Sequence, residues 1–593
     1  MADRIAQSSP PVSLRVPAFL RGAAAGLSHV VLLGLAFAPT DLWPLTVCAL
    51  LPLLWAAPPG RTNFRWIALG AWLGASAAWL WFSRWLINVT VEGYPLLALY
   101  LASYVPLFLW LLARPPRLTL AARIPRAILI PMLWVGLEVL RGEVVFTGYA
   151  WFLLAHPLVH FPALAQSADI LGAYWLSFLV AASSVALWDA VSTLQPTGAS
   201  PASRRWIAPI LMVLLWLALF FCGQRALRLT PVPGSADSIT VCALQTNLPQ
   251  DNKIGWKIED QERDFAFFVD ATRASLARSV EKPDLVVWPE TMVPGLGLNP
   301  EAIAEIRRFE REVGDRLRPG TTFHEGLLNL AQETMTPLLV GAAAAPDLAL
   351  SLRDRASGRI EVGGTLRYNS AFLYLPGPAA GLQSPLRYDK VHLTPFGEMI
   401  PLLHRWPELQ QFVLDIGAHG MSFDLSIGAD LRTLEVPLRN GNALRVGTPI
   451  CFESTVSGLC RTLVFAPGGG KRADVLINLT NDGWFGVDPG GRAQHLQISQ
   501  WRAIENRVPV VRAANTGISA LIDSAGRILA RGPNEPAVAD GDGARVFGML
   551  RGRIALDGRT PLFARVGNVF GWTCLSFTAA YALLALFFGR QRT

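Results

Sequence analysis

Apolar runs of bilayer-crossing length recur from residue 18 onward, and they limit what this chain can fold into more than any other feature. Approximate bounds are 18–38, 43–58, 66–87, 95–113, 125–140, 168–190 and 206–223, with one further run from Asn568 to Phe588. A helical span needs about 20 predominantly apolar residues. The sequence therefore predicts about seven helices before residue 230, the second and fifth of them short, and one helix near the far end. Charged residues make up only 16% of the 593, against about 25% in an ordinary soluble protein, and the deficit sits in these same regions. Three parts follow: an N-terminal membrane domain over 1–230, an extramembrane domain over 236–545, and a linker with a last transmembrane helix over 546–593. The first run has no convincing small-residue cleavage site and leads at once into further spans, so it reads as an anchor.

Arginine placement predicts orientation. Arg4 and Arg15 precede the first span, Arg61 and Arg65 follow the second, Arg114, Arg117, Arg123 and Arg126 follow the fourth, and Arg204 and Arg205 follow the sixth. The turns after spans one and three carry no Lys or Arg. Basic loops stay in the cytoplasm, so both termini are expected there and the extramembrane domain on the opposite side. The same placement accounts for the net charge of +8, and no nucleic-acid partner is expected. Between spans five and six, Phe146 to Phe152 is aromatic and interrupted by Gly148. It reads either as an interfacial aromatic belt or as a wall facing lipid chains. His29 reads as a packed, hydrogen-bonded side chain, and Arg84 as one that snorkels to the interface.

Past Pro231 to Ser235 the composition changes. Short apolar strands, among them Leu285 to Val287, Pro337 to Gly341, Asn369 to Leu375, Leu444 to Ile450 and Asp474 to Leu479, alternate with helical stretches near 259–279, 301–334 and 492–506. Such alternation predicts a layered α/β domain. Three of its strands end in reactive groups: Trp288-Pro289-Glu290, Tyr388-Asp389-Lys390 and Ile450-Cys451-Phe452-Glu453. A thiol is only a few per cent thiolate at neutral pH, and a neighbouring cation or base activates it. Lys390 supplies a cation, and Glu290 can take the thiol proton and return it. The Phe452 backbone N–H and the Lys390 ammonium can hold the oxyanion of a tetrahedral intermediate. Acyl transfer through a thioester fits these groups. Each has a plainer reading alone: a buried cysteine, an acid in a solvated loop, a lysine guarding an edge strand. Their joint appearance in one α/β domain carries the reactive reading. The six cysteines show no C-x-x-C spacing, so no metal, cofactor or disulfide framework is expected.

With these stretches the sequence resembles the nitrilase superfamily and, within it, the apolipoprotein N-acyltransferases. His392 to Glu398, Thr480 to Gly486 and Gln494-His495 add to the likeness, as do Leu140-Arg141-Gly142 and Thr147-Gly148 in the membrane part. The resemblance implies a multi-span α-helical membrane domain joined to a nitrilase-like αββα sandwich. It implies Glu290 as general base, Lys390 as oxyanion stabiliser and Cys451 as nucleophile, with Glu398 and Glu453 as supporting acids and Phe452 beside them. Trp256, Trp484 and Asn481 would contact substrate. The implied donor is a phospholipid, typically phosphatidylethanolamine. The acceptor is the free α-amine of the diacylglyceryl-cysteine of an apolipoprotein. The implied setting is the bacterial inner membrane, with both termini cytoplasmic, the catalytic domain periplasmic and the protein monomeric. A membrane-tethered amidohydrolase would share the triad, with water resolving the thioester. A non-enzymatic membrane binding module would tolerate loss of Cys451. The multi-span anchor favours the transferase, because a soluble amide gives no reason to sit in lipid.

Overall fold

Two units make up the chain, residues 1–225 with 568–593 and residues 226–567. The computed structural model describes all residues outside 1–11, 58–62, 116–123, 193–205, 236, 249–255, 314–319, 355–358, 378–384, 400–424, 487, 536–545 and 589–593. Arg4, Arg61, Arg117, Arg123, Arg204 and Arg205 therefore lie outside the described residues.

In the first unit, five helices among the described residues are long and apolar enough to cross a membrane: Arg15–Ala36, Gly93–Ala113, Ala173–Ser192, Ile207–Arg228 and Val569–Phe587. Of the other expected spans, the third is an unbroken helix, Phe64–Phe82, followed by a 3₁₀ turn over Arg84–Asn88, and the second and fifth are short or broken. Within the second expected span, the described residues 43–57 fold as a 3₁₀ turn, Trp43–Cys48, followed by a short helix, Leu51–Ala56. Pro44 and Pro52 each occupy a first helical turn, where a missing N–H costs nothing, and so divide the run in two. The fifth span is a helix over Arg126–Val139 that gives way to a π turn over Leu140–Val144. Small residues let helices meet backbone to backbone. A Cβ on Gly22 or Gly26 would lie 2.1 Å from the carbonyl oxygen of Ile67 or Ala71.

The aromatic stretch after the fifth span divides: Phe146 and Thr147 are exposed and Tyr149 is half-buried, whereas the chain from Ala150 onward turns inward. Ala150 to Val159 are buried, and Trp151, Phe152, Leu153 and Leu154 are each 3% exposed or less. Non-helical backbone is tolerated in a membrane unit only when protein satisfies its polar groups, and Arg141 does so here. Its Nη2 donates to the Trp151 carbonyl at 2.8 Å and the Phe152 carbonyl at 3.0 Å. His29 is packed as expected: its Nδ1 lies 2.7 Å from the Ala49 carbonyl and its ring is edge-on to Trp134. The Arg84 guanidinium covers the Trp81 ring at 4.6 Å.

The second unit contains fourteen strands among the described residues. They are β1 (Ser238–Gln245), β2 (Leu285–Val287), β3 (Leu338–Ala344), β4 (Ala349–Asp354), β5 (Arg359–Gly363), β6 (Tyr368–Tyr374), β7 (Leu386–Asp389), β8 (Thr433–Pro437), β9 (Ala443–Gly447), β10 (Val475–Thr480), β11 (Val510–Ala514), β12 (Ala520–Ile522), β13 (Ile528–Arg531) and β14 (Gly548–Ala555). One six-stranded sheet has the order β14-β1-β2-β3-β6-β7, a second has β13-β12-β11-β10-β9-β8, and β4 with β5 form a separate hairpin. Alternation along the strands builds the layers. Val241, Ala243, Leu285 and Val287 meet Val446, Leu476 and Val511 of the other sheet in one buried cluster. The intervening Cys242, Leu244, Val286 and Leu338 pack against Phe265 and Phe268 of the helix Ile258–Ala277 and Leu327 and Leu330 of the helix Thr322–Thr334. Leu496 and Ala503 of the helix Pro489–Asn506 belong to the cluster of the second sheet. The result is an αββα sandwich. Burial of both sheet faces explains why these strands read as near-continuous apolar runs.

One stretch differs from expectation. Residues 546–567 are not a linker throughout, because β14 lies within them and pairs antiparallel with β1 from Ser238↔Ala555 to Gln245↔Gly548. Two glycines and two arginines in Gly548–Ala555 hide its strand character in the sequence. Arg551 is held at the strand by Glu535, 2.7 Å away.

Candidate active site

Glu290, Lys390 and Cys451 each follow the C-terminal end of a strand, β2, β7 and β9 respectively. Glu290 is 5% exposed. Its Oε1 accepts from Asn369 Nδ2 at 2.7 Å and its Oε2 from the Asn481 backbone N–H at 2.9 Å. Lys390 is 1% exposed. Its Nζ lies 2.7 Å from Glu398 Oε2 and 3.6 Å from Glu290 Oε1, and it donates to Thr394 Oγ1 at 3.4 Å. Asn369 Nδ2 also donates to Glu398 Oε1 at 3.1 Å, and the Asn369 carbonyl accepts from the Lys390 N–H at 2.8 Å. Asn369 thus ties both acids and the lysine together. Sequence reading missed it; the signal was an amide near the start of a buried strand.

These contacts set the charges. Burial works against the Lys390 ammonium, but the carboxylates of Glu398 and Glu290 outweigh it and hold the lysine pKa above its ordinary value. Burial raises the Glu398 pKa, but the Lys390 charge overcomes that and holds it below the ordinary value. Burial, followed by the Glu290 carboxylate, pushes the Cys451 thiol well above the usual cysteine range, and Lys390 offsets only part of this. The resting site therefore holds a fixed ammonium and a protonated thiol.

Cys451 marks a sharp change of direction. Ile450 still bridges to Leu479 in extended backbone, and a 3₁₀ turn over Cys451–Thr455 begins immediately after it. Cys451 has φ of 50°, a left-handed conformation that costs a residue with a β-carbon on the order of 1–3 kcal/mol. Glu453 is fully buried and fixes this turn to the lysine segment. Its Oε1 accepts from the N–H groups of Val391 at 2.7 Å and His392 at 2.9 Å, and its Oε2 from that of Ile450 at 2.8 Å. The Tyr388 hydroxyl donates to the same carboxylate at 3.0 Å. Burial raises the Glu453 pKa to about 7, against the pull of the Ile450 and His392 N–H groups. Phe452 is buried and stacks on the His392 ring at 5.8 Å.

The remaining sequence candidates are distributed around this centre. Trp484 is partly exposed in the 3₁₀ turn Asp482–Phe485, directly after Asn481. Besides its backbone bond to Glu290, Asn481 accepts at Oδ1 from the Gly483 N–H at 3.1 Å and from Asn515 Nδ2 at 2.9 Å. Trp256 is tied to the helix that follows it: its Nε1 donates to Asp264 Oδ2 at 3.1 Å and its carbonyl accepts from Gln261 Nε2 at 2.8 Å. Its ring packs against the cluster that contains Trp288. A buried carboxylate, a paired ammonium and a thiol at a strained turn make up a centre suited to nucleophilic acyl chemistry.

Residues 30–186 match the family described as apolipoprotein N-acyltransferase N-terminal domain, and residues 241–542 match the carbon-nitrogen hydrolase family. The apolipoprotein N-acyltransferase of Geobacter metallireducens is 32% identical over 570 residues, covering 94% of this chain and 93% of that one. The chain belongs to the apolipoprotein N-acyltransferase family. The apolipoprotein N-acyltransferase of Haemophilus influenzae is 27% identical over 514 residues, 84% of each chain. Among solved structures, a carbon-nitrogen hydrolase from Helicobacter pylori is 15% identical with a TM-score of 0.33, over 59% of this chain and 94% of that one. Membership in the apolipoprotein N-acyltransferase family makes this chain a membrane acyltransferase whose second unit is of the nitrilase type.

Proposed function

We propose that this acyltransferase moves an acyl chain from a phospholipid, through a thioester on Cys451, to the free α-amine of the diacylglyceryl-cysteine of an apolipoprotein. Phosphatidylethanolamine is the donor to test first. The observation that carries this reading is the buried Glu290–Lys390 pair, 3.6 Å apart, whose charges both act on the Cys451 thiol. A thiol that rests protonated needs a base at the moment of attack, and Glu290 is the base in reach of its field.

In the first half-reaction the Cys451 sulfur bonds to the ester carbonyl carbon while Glu290 takes the thiol proton. The carbonyl oxygen becomes an oxyanion opposite the Lys390 ammonium and the Phe452 N–H. The ester C–O bond breaks, and Glu290 returns the proton to the departing lysophospholipid oxygen. In the second half-reaction a neutral α-amine attacks the thioester carbonyl. Glu290 takes a proton from that amine, the C–S bond breaks, and the sulfur regains the proton. Glu398 holds the lysine in place, Glu453 joins the two strand ends, and Trp256, Trp484 and Asn481 border the substrate path. Both substrates are lipids, so tethering the unit at both ends in a membrane raises their effective concentration. The proposed setting is the bacterial inner membrane, with a monomeric protein whose catalytic unit faces the periplasm.

The test is direct. Purified protein is incubated with phosphatidylethanolamine labelled in its acyl chain, and Cys451 is examined by mass spectrometry for the adduct. A diacylated lipopeptide with a free amine is then added. Transfer of the label to the amine supports the proposal. Release as free fatty acid makes the chain a hydrolase, and a chain that never carries the label on Cys451 ends the thioester mechanism.

A further inference from the structure

The peptide that joins Cys451 to Phe452 carries two groups that matter. Its C=O belongs to Cys451 and its N–H to Phe452, and in a trans peptide these point in opposite directions. Fixing the carbonyl therefore aims the N–H.

Side chains from different elements grip that carbonyl, among them Ser454 and Asn478, and His495 also hydrogen-bonds to it. Ser454 Oγ donates to it at 2.9 Å, and Asn478 Nδ2, on β10, donates to it at 3.3 Å. Both donors are themselves held. Asn478 Nδ2 also donates to the Pro449 carbonyl at 2.9 Å, and its Oδ1 accepts from Arg512 Nη1 at 2.8 Å. His495 Nε2 lies 3.0 Å from Ser454 Oγ. On the other side of that ring, Nδ1 lies 3.0 Å from Asp482 Oδ1 and 3.0 Å from Arg512 Nη2, and Arg512 pairs with Asp482. Ser454, Asn478, Asp482, His495 and Arg512 are each 2% exposed or less. A polar cluster buried this deeply is costly unless its members are satisfied. Part of this network reaches the carbonyl of the residue with φ of 50° that bears the thiol.

We propose that Ser454 and Asn478 are positioning residues: by holding the Cys451 carbonyl they turn the Phe452 N–H toward the oxyanion that forms when the sulfur attacks an acyl carbon. His495, Asp482 and Arg512 keep the two donors in place. The inference rests on the thioester reading above and adds to it the groups that build the oxyanion site from behind.

Two reactions of the same sulfur separate this role from a structural one. Acylation by a phospholipid passes through an oxyanion; alkylation by iodoacetamide displaces iodide and forms none. In the full-length protein, Ser454→Ala is expected to slow formation of the labelled acyl adduct at least about ten-fold, short of the 10²–10³ of losing an oxyanion donor outright. Its alkylation rate at Cys451 should stay within about two-fold of the parent, and Ser454→Thr, which keeps the hydroxyl, should recover most of the acylation. Asn478→Ala is an independent second variant with the same expected split. If acylation and alkylation fall together, the cluster only supports the fold and the proposal is overturned. It is also overturned if both variants acylate at the parental rate. If the unmodified protein forms no acyl adduct, the thioester reading fails first and takes this inference with it.

Discussion

Cys451 rests with its proton on. Burial and the Glu290 carboxylate move its pKa upward, so at neutral pH its thiolate fraction is below the few per cent of an ordinary cysteine, whose pKa is about 8.5. Iodoacetamide should therefore alkylate Cys451 more slowly than a free cysteine at about pH 8, and its rate should still be climbing with pH where that of the free thiol has levelled. Rates measured by mass spectrometry over that range check the sign; a plateau below about pH 8 would mean that the thiolate is stabilised and that no base is needed. Glu453 gives a second prediction. Its two oxygens face donors on every described side: Val391, His392, Ile450 and Tyr388. A glutamine must turn its NH₂ toward at least one of them. Glu453→Gln should cost on the order of 1–3 kcal/mol, read as a lower unfolding midpoint of the full-length protein in detergent. Glu290 and Cys451 were legible because each follows an apolar strand, and Lys390, after the polar strand Leu386–Asp389, was legible through its company with those two. Asn369 and Ser454 were not, because their importance lies in partners brought together from distant parts of the chain.

Elements carry the next set of consequences. The turn after β10, the strand β11 and the helix Pro489–Asn506 meet at Asp482, Arg512 and His495. Burial raises the Asp482 pKa, but Arg512 and then His495 more than reverse this and hold it below the ordinary value. A depressed carboxylate contributes stability above its unfolded pKa of about 3.9, and that contribution is lost as pH falls through the folded value. Asp482→Asn should flatten this acid limb. It also strands a buried guanidinium, with an expected loss of about 3–5 kcal/mol, measured by thermal unfolding at neutral and acid pH. β14 illustrates an element that pattern reading misses. Its arginines and glycines suggest a solvated connection, yet Leu550 and Ile554 are fully buried in the core between the sheets. Ile554→Ala should cost about 2–5 kcal/mol, whereas an alanine in a true linker would change nothing in the same melting experiment. The broken helices of the membrane unit escaped for a related reason. Hydropathy reports where apolar residues lie, but not where Pro44, Pro52 or a π turn interrupts the ladder.

For the whole molecule, the division into a membrane part and an extramembrane part followed from composition, because the charge deficit is confined to both ends, while the α/β layering came from alternating strands and helices and the sandwich from the resemblance. The orientation proposed from the arginines has its own test. A fluorescent protein fused after Thr593 should fluoresce, since it folds in the cytoplasm; a dark but stably expressed fusion would reverse the orientation. The pairing of β1 with β14 reaches further. Ser238 lies opposite Ala555, so the first and last strands of the sandwich are neighbours although more than half of the chain separates them. While the ribosome is still making the intervening segments, β1 has one edge without its partner, and an open edge invites unwanted pairing. Synthesis must reach residue 555 before that edge is closed, so slowing translation just ahead of β14 should raise aggregation or proteolysis of this chain more than an equal delay placed after it.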